Sequence, residues 1–267
     1  MASLQDQLKL LVTKAEDTKS QAVGAVIEEF RDVFDSLQLR LRPSVGSMSL
    51  VSYADRTPQR GFENIRNADH LRRTLDALRS RTKAIEPPGR STPEKHLQSW
   101  LIGEAMRNGR QVVAVARPLG DRHKYHFVSD ELAFKQGVEK FVADLLLIRE
   151  DASGESEFVA TELKYKRDPW THSQVRKFKE ILENESLLPL WRGFAENMLG
   201  AKLRWKKSNR CCGLVIWPFS SRPAHATRAL VASCRDDESI ETLGYVGPPY
   251  SLQLEGAAIT IEGAVDA

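Results

Sequence analysis

Three charged residues interrupt apolar runs in a way that ordinary surface patterning does not. Asp144 stands before Leu145-Leu-Leu-Ile148, and Glu162 and Lys164 fall inside Glu157-Phe-Val-Ala-Thr-Glu-Leu-Lys-Tyr-Lys166. In an extended strand successive side chains alternate faces, so Phe158, Ala160, Glu162 and Lys164 share one side while Val159, Thr161, Leu163 and Tyr165 share the other. An acid and a lysine continuing an apolar face are costly to bury without a partner. A divalent cation is one such partner. Asp144, Glu162 and the main-chain carbonyl of Leu163 are hard oxygen donors that suit Mg2+, with Mn2+ as the alternative. Hydrolysis of a phosphodiester needs an in-line water, neutralisation of charge growing on the phosphate and stabilisation of the leaving oxygen. Lys164 beside the cation would ease formation of hydroxide and contact the attacked phosphate. The competing reading of Glu162 and Lys164 is a cross-strand ion pair on a solvated face, worth only about 0.2 to 1 kcal/mol. Lys166 on the same face favours that reading, and Asp144 by itself fits an acid that caps a loop amide.

The elements that must position these groups are legible around them. Strand-like runs cover Gln111-Val-Val-Ala-Val-Ala116, Phe141 to Ile148, Glu157 to Lys166 and Cys211 to Trp217, with weaker ones at Thr242 to Val246 and Ala258 to Ile261. The turn-rich stretch Glu150-Asp-Ala-Ser-Gly-Glu-Ser-Glu157 joins the second run to the third as a hairpin. Helices are expected at about 171–185 and 187–203. A further helix begins at Ser91-Thr-Pro-Glu94, where a capping hydroxyl, a first-turn proline and an acid meet, and continues through Leu97, Leu101 and Ala105. Glu94 points to the same side as Leu97, although an acid in a first turn is favoured by the helix dipole alone. Gln174 shares a face with Phe178 and Ile181, turned toward the core; closing a capping box with Thr171 is its other reading.

Residues 1–45 read as a helical extension, with Leu4, Leu8, Leu11, Ala15, Ala22, Val26, Phe30, Val33 and Leu37 at spacings of three, four or seven. Thr18 and Glu29 interrupt that stripe. Its partner reading is an oligomerisation element that makes a homodimer. Residues 46–90 read as a linker rich in Pro, Gly and Ser, followed by a short basic helix from about Ala68 to Lys83, and residues 91–267 as one mixed α/β domain of three layers.

The 267 residues carry a net charge of only +3, but that charge is segregated. Residues 41–93 hold 10 Lys/Arg against 5 Asp/Glu, residues 160–210 hold 12 against 6, and residues 235–267 hold 1 against 7. Two basic blocks beside an acidic tail suit a polyanion partner, or simply a solvated charged surface. Arg176, Lys177, Lys179, Lys206 and Lys207 are the candidate phosphate contacts. No run is long and apolar enough to span a membrane and no signal peptide opens the chain, so a cytoplasmic setting is expected. Three cysteines, two of them adjacent at Cys211 and Cys212, exclude a disulfide framework and a CxxC zinc or redox site. The absence of a Walker loop, a GxSxG elbow and a dinucleotide fingerprint leaves ATPase, serine-hydrolase and Rossmann chemistry without support.

With its acid at the start of one core strand, its Glu162-Leu163-Lys164 on the next, its helix acid Glu94 and its Gln174 with Phe178 one turn on, the chain resembles the PD-(D/E)xK nuclease superfamily. The nearest branches are the RecB-like and Mrr-like ones. Ala143 stands where the superfamily's proline would be, and Phe178 where its aromatic is more often tyrosine. The resemblance covers about residues 91–218. It implies a restriction-endonuclease-like α/β core with a mixed central sheet that cuts nucleic acid, expected to be DNA, with Mg2+. In that setting Asp144, Glu162 and Leu163 hold the metal, and Glu94, Lys164 and Gln174 complete the catalytic set. The alternative is a catalytically silent nuclease-like domain that binds nucleic acid or organises an assembly.

Overall fold

A computed structural model describes residues 2–53, 61–80, 93–107, 109, 111–116, 122–136, 139–164, 170–218, 237–246, 251–254 and 257–258. Among these the chain forms seven helices and eleven strands in two compact units. The first unit comprises residues 1–103 and 133–141, and the second residues 104–132 and 142–267.

In the first unit the expected helical extension is three short helices, α1 (Leu4–Asp17), α2 (Gln21–Glu29) and α3 (Arg31–Ser36). The interruptions foreseen at Thr18 and Glu29 fall at the ends of α1 and α2. Ser20 caps α2 by accepting from the Val23 amide, so the chain restarts there instead of continuing. The end of the segment read as helical is a strand, β1 (Leu39–Ser44), and the segment read as a linker supplies β2 (Ser47–Ser52) and β3 (Gly61–Ile65), which pair with it in an antiparallel sheet followed by the expected basic helix, α4 (Ala68–Arg79). Among the described residues Pro43 and Ser44 end β1 and Ser47 opens β2, across a two-residue turn in which Gly46 takes φ +79°, a conformation glycine adopts freely. Val23, Val26 and Phe30 of the helices pack with Met48, Leu50 and Ile65 of the sheet and Leu71, Leu75 and Leu78 of α4 in one buried cluster. α1 lies against β1 and β2, and Leu8, Leu11 and Ala15 are buried there rather than presented to a partner. The apolar stripe that suggested a dimer surface is therefore used within the chain.

The second unit is built on a mixed eight-stranded sheet, ordered β11-β10-β9-β8-β7-β6-β5-β4. These strands are β4 (Gln111–Ala116), β5 (Arg122–Gln136), β6 (Glu139–Glu150), β7 (Ser156–Leu163), β8 (Cys212–Pro218), β9 (Ile240–Val246), β10 (Ser251–Leu254) and β11 (Ala257–Ala258). α5 (Pro93–Arg107), whose residues 93–103 belong to the first unit, precedes them in the chain. The β6–β7 hairpin is antiparallel, and β7 pairs parallel with β8 and β8 with β9. A parallel partner requires a crossover, which α6 (Thr171–Glu183) and α7 (Leu188–Leu199) supply between β7 and β8. α6 lies on β7 and β8. Its close seat depends on Gly213, where a Cβ would come within 2.6 Å of Val175 and 2.9 Å of Ile240. Trp191 and Phe194 of α7 stack edge-on around the Phe178 side of α6. Burial of each such ring contributes on the order of 1.5 to 3 kcal/mol, which fastens α7 to α6.

β5 has no counterpart among the expected strands. Its sequence, Arg-His-Lys-Tyr-His-Phe-Val-Ser-Asp-Glu-Leu-Ala-Phe-Lys-Gln, mixes charge and apolar groups without clean alternation, and Glu131 interrupts it at φ +50°. No helix among the described residues is long and apolar enough to cross a membrane.

Candidate functional site

The hairpin register decides which side chains meet. Leu145 pairs with Thr161 and Leu146 with Ala160, so the next step of the ladder sets Asp144 opposite Glu162 on the same face. Asp144 stands just past the last ladder pair. Its Oδ2 accepts the Leu163 amide at 2.9 Å, an amide of the partner strand across the hairpin and not the loop amide of the plain reading. That bond holds its carboxylate at the end of β7. Glu162 pairs with Val215 of β8 and Ala160 with Gly213, which turns the Asp144–Glu162 face toward α6.

Lys164 follows immediately beyond β7, with its amide donating to the Ile216 carbonyl at 2.8 Å. Its Nζ lies 3.3 Å from Glu162 Oε2 and donates to Gln174 Oε1 at 3.0 Å. Gln174 thus spends its side chain on Lys164 rather than on a capping box, and α6 begins at Trp170 without any side-chain cap. Glu162 is 2 % exposed and Lys164 8 %. The solvated ion pair offered as the plain alternative is excluded by that burial.

Electrostatics at Glu162 are unbalanced. Burial first, and the neighbouring Asp144 charge second, push its carboxyl well above the ordinary carboxylate range, and Lys164 offsets this only in part. Glu162 Oε1 is buried and accepts no hydrogen bond. Among the described residues no three His, Cys, Asp or Glu side chains gather at one point, so the side-chain oxygens here come from two carboxylates. Mg2+ and Mn2+ bind through few carboxylates and retain several waters. A buried carboxylate oxygen without a donor, facing a second carboxylate, fits such a cation.

The remaining expected residues are placed as follows. Glu94 is half-buried in the first turn of α5, within the first unit, and its role is carried by the sequence pattern alone. Arg176 is exposed on α6 and Lys177 is half-buried. Lys179 is turned inward, 7 % exposed, donating to the Cys211 carbonyl and lying 3.5 Å from Glu183; it braces α6 against β8 and does not face a phosphate. Lys206 donates to Glu157 at 3.0 Å and lies 3.3 Å from Asp151, at the hairpin end of β7. Glu157 is five residues from Glu162, roughly 17 Å along a strand, so Lys206 and its exposed neighbour Lys207 belong to the opposite end of the sheet from the carboxylates. Cys211 and Cys212 are buried, and burial pushes both thiols up, which makes them core groups and not nucleophiles. Cys234 lies outside the described residues.

A second polar cluster went unread in the sequence. Arg149 bridges Glu157 at 2.7 Å and Glu241 at 2.6 Å on the other face of the sheet. The alternation of Leu145, Leu147 and Arg149 could have placed its side chain, but no local pattern points to Glu241, 92 residues away. Neither a family model, nor a curated protein, nor a solved structure matches this chain.

Proposed function

We propose that this protein is a divalent-cation-dependent nuclease of the PD-(D/E)xK type that hydrolyses phosphodiesters, with DNA as the expected substrate. The observation that carries the reading is the buried, donorless Glu162 Oε1 beside the Asp144 carboxylate, with Lys164 held between Glu162 and Gln174. The β6–β7 hairpin followed by a helical crossover to a parallel strand supports the restriction-endonuclease-like fold.

Asp144, Glu162 and the Leu163 carbonyl would hold Mg2+, which when bound supplies charge neutralisation at the phosphate and acidifies a bound water. The chain's own groups do the rest. The Leu163 amide fixes the Asp144 rotamer, so a cation site needs no rearrangement of that carboxylate. Gln174 accepts from Lys164 Nζ and restrains it, which keeps a positive charge beside Glu162 where a phosphate oxygen would arrive. From that place the ammonium orients the attacking water and offsets charge that grows on the phosphate. The buried setting strengthens each of these interactions relative to solvent.

Plasmid DNA incubated with the full chain and Mg2+ is expected to be cut, and Glu162→Gln and Lys164→Ala are expected to lose cutting while retaining the wild-type circular-dichroism spectrum. Full activity in both variants would overturn the assignment.

A further inference from the structure

Trp170 is 69 % exposed, and the only other exposed large apolar side chain among the described residues is Leu10, at 44 %. Exposed tryptophans are uncommon because the indole carries more apolar surface than any other side chain. This one is not at a random place. Its carbonyl accepts the Gln174 amide at 2.8 Å and the Ser173 hydroxyl at 2.8 Å, so it forms the first turn of α6. Residues four apart on a helix are neighbours on one face, about 5 to 6 Å between Cβ atoms. The indole therefore stands one turn from Gln174, whose Oε1 holds Lys164 Nζ, which in turn lies 3.3 Å from Glu162. Seven residues on, Lys177 continues the same helical stripe, and exposed Arg176 lies next to it.

An exposed aromatic plane beside a candidate phosphodiester site, with cationic groups following along the helix, is the pairing that single-stranded nucleic acids use: bases stack on the ring while the backbone follows the charge. A base inside a duplex has both faces covered by its neighbours and offers no plane to the indole. Resting on the nuclease reading above, we infer that Trp170 is a stacking platform for an unpaired base next to the scissile phosphate, and that the site takes a single-stranded or locally unpaired strand in preference to a continuous duplex.

Fluorescence anisotropy of labelled oligothymidylate and of a blunt duplex of equal length, with the metal-free full chain at low salt, tests this. Trp170→Ala should weaken single-strand binding by roughly 5- to 150-fold, the range of one base–aromatic stack, and leave duplex binding within about twofold. Trp170→Phe should restore most of the affinity, and the indole quenching that accompanies oligothymidylate binding in the wild type should disappear in that variant. Equal losses for both substrates, no loss for the single strand, or no rescue by phenylalanine would each overturn the inference. If the wild type cuts DNA in Mg2+ but Trp170→Ala binds the single strand normally, stacking fails and the nuclease reading stands. If the wild type neither binds nor cuts, both fall.

Discussion

Arg149 and Glu162 are charged residues of adjacent strands in one sheet, both largely withdrawn from solvent and facing opposite sides. Around Arg149 every acid faces a cation: Glu157 meets Arg149 and Lys206, Glu241 meets Arg149, and Asp151 meets Lys206. Around Glu162 two carboxylates and one ammonium share a buried space, and one carboxylate oxygen lacks a donor. Both clusters hold one more carboxylate than cation, but each acid of the first lies within ion-pair reach of a cation, whereas the second leaves Glu162 Oε1 buried without a donor. Buried charge alone does not mark a functional site, since both clusters have it. What separates them is whether every buried carboxylate oxygen has a partner within the protein.

The sharpest way to break this contrast is activity. Glu162→Gln and Asp144→Asn are expected to lower Mg2+-supported cleavage by about 10²- to 10³-fold, as removal of an electrostatic stabiliser at a transition state does. Arg149→Met, assayed where it is folded, should cut at a rate near wild type. A loss in Arg149→Met that matches the Glu162 variant would erase the distinction.

Stability should run the other way. Removing Arg149 leaves Glu157 and Glu241 without their shared cation, and breaking a buried pair costs on the order of 3 kcal/mol, read as a lower urea midpoint. An unchanged midpoint would mean that the network is only a surface arrangement.

A smaller effect follows from the sign of the Glu162 shift. Its carboxyl titrates above its ordinary value of 4.5 in the folded chain. The folded state therefore binds more protons than the unfolded one between those two values, and stability falls as pH rises through that window. Metal-free wild type should lose melting temperature as pH increases above about 4.5, and Glu162→Gln should not. Added Mg2+ should raise the wild-type melting temperature by mass action and leave Asp144→Asn and Glu162→Gln unmoved. A melting curve for Glu162→Gln that still responds to Mg2+ would place the cation elsewhere.

The smallest expected change is at Gln174, which acts only through Lys164. Gln174→Ala should lower kcat by roughly tenfold with little change in KM, as slight misplacement of a catalytic group does. Gln174→Glu should retain more activity because a carboxylate also accepts from Nζ. A KM effect without a kcat effect would make Gln174 a substrate contact instead.

Much of the site could be read in the residues because its signals are local. Alternation along β7 places Glu162 and Lys164 on one face whatever surrounds them, the Gly154 turn makes the hairpin, and the stripe of Val175, Phe178 and Leu182 makes α6 a core helix. The strands that escaped notice lack such signals. β5 carries charge on both faces, and β1 to β3 carry the Pro, Gly and Ser that a linker also carries, with burial supplied by α1 to α4 instead of by pattern.

Sequence by itself determined which residue types interrupt the apolar strands, and hence which could do chemistry. Only the tertiary structure decided that Asp144 stands opposite Glu162, that Lys164 is held by Gln174, that Lys179 and Lys206 are occupied elsewhere, and that Trp170 stays in solvent beside the site. Facing along a strand is a property of neighbours two residues apart, whereas register, desolvation and the meeting of charges sum over groups brought together from far along the chain.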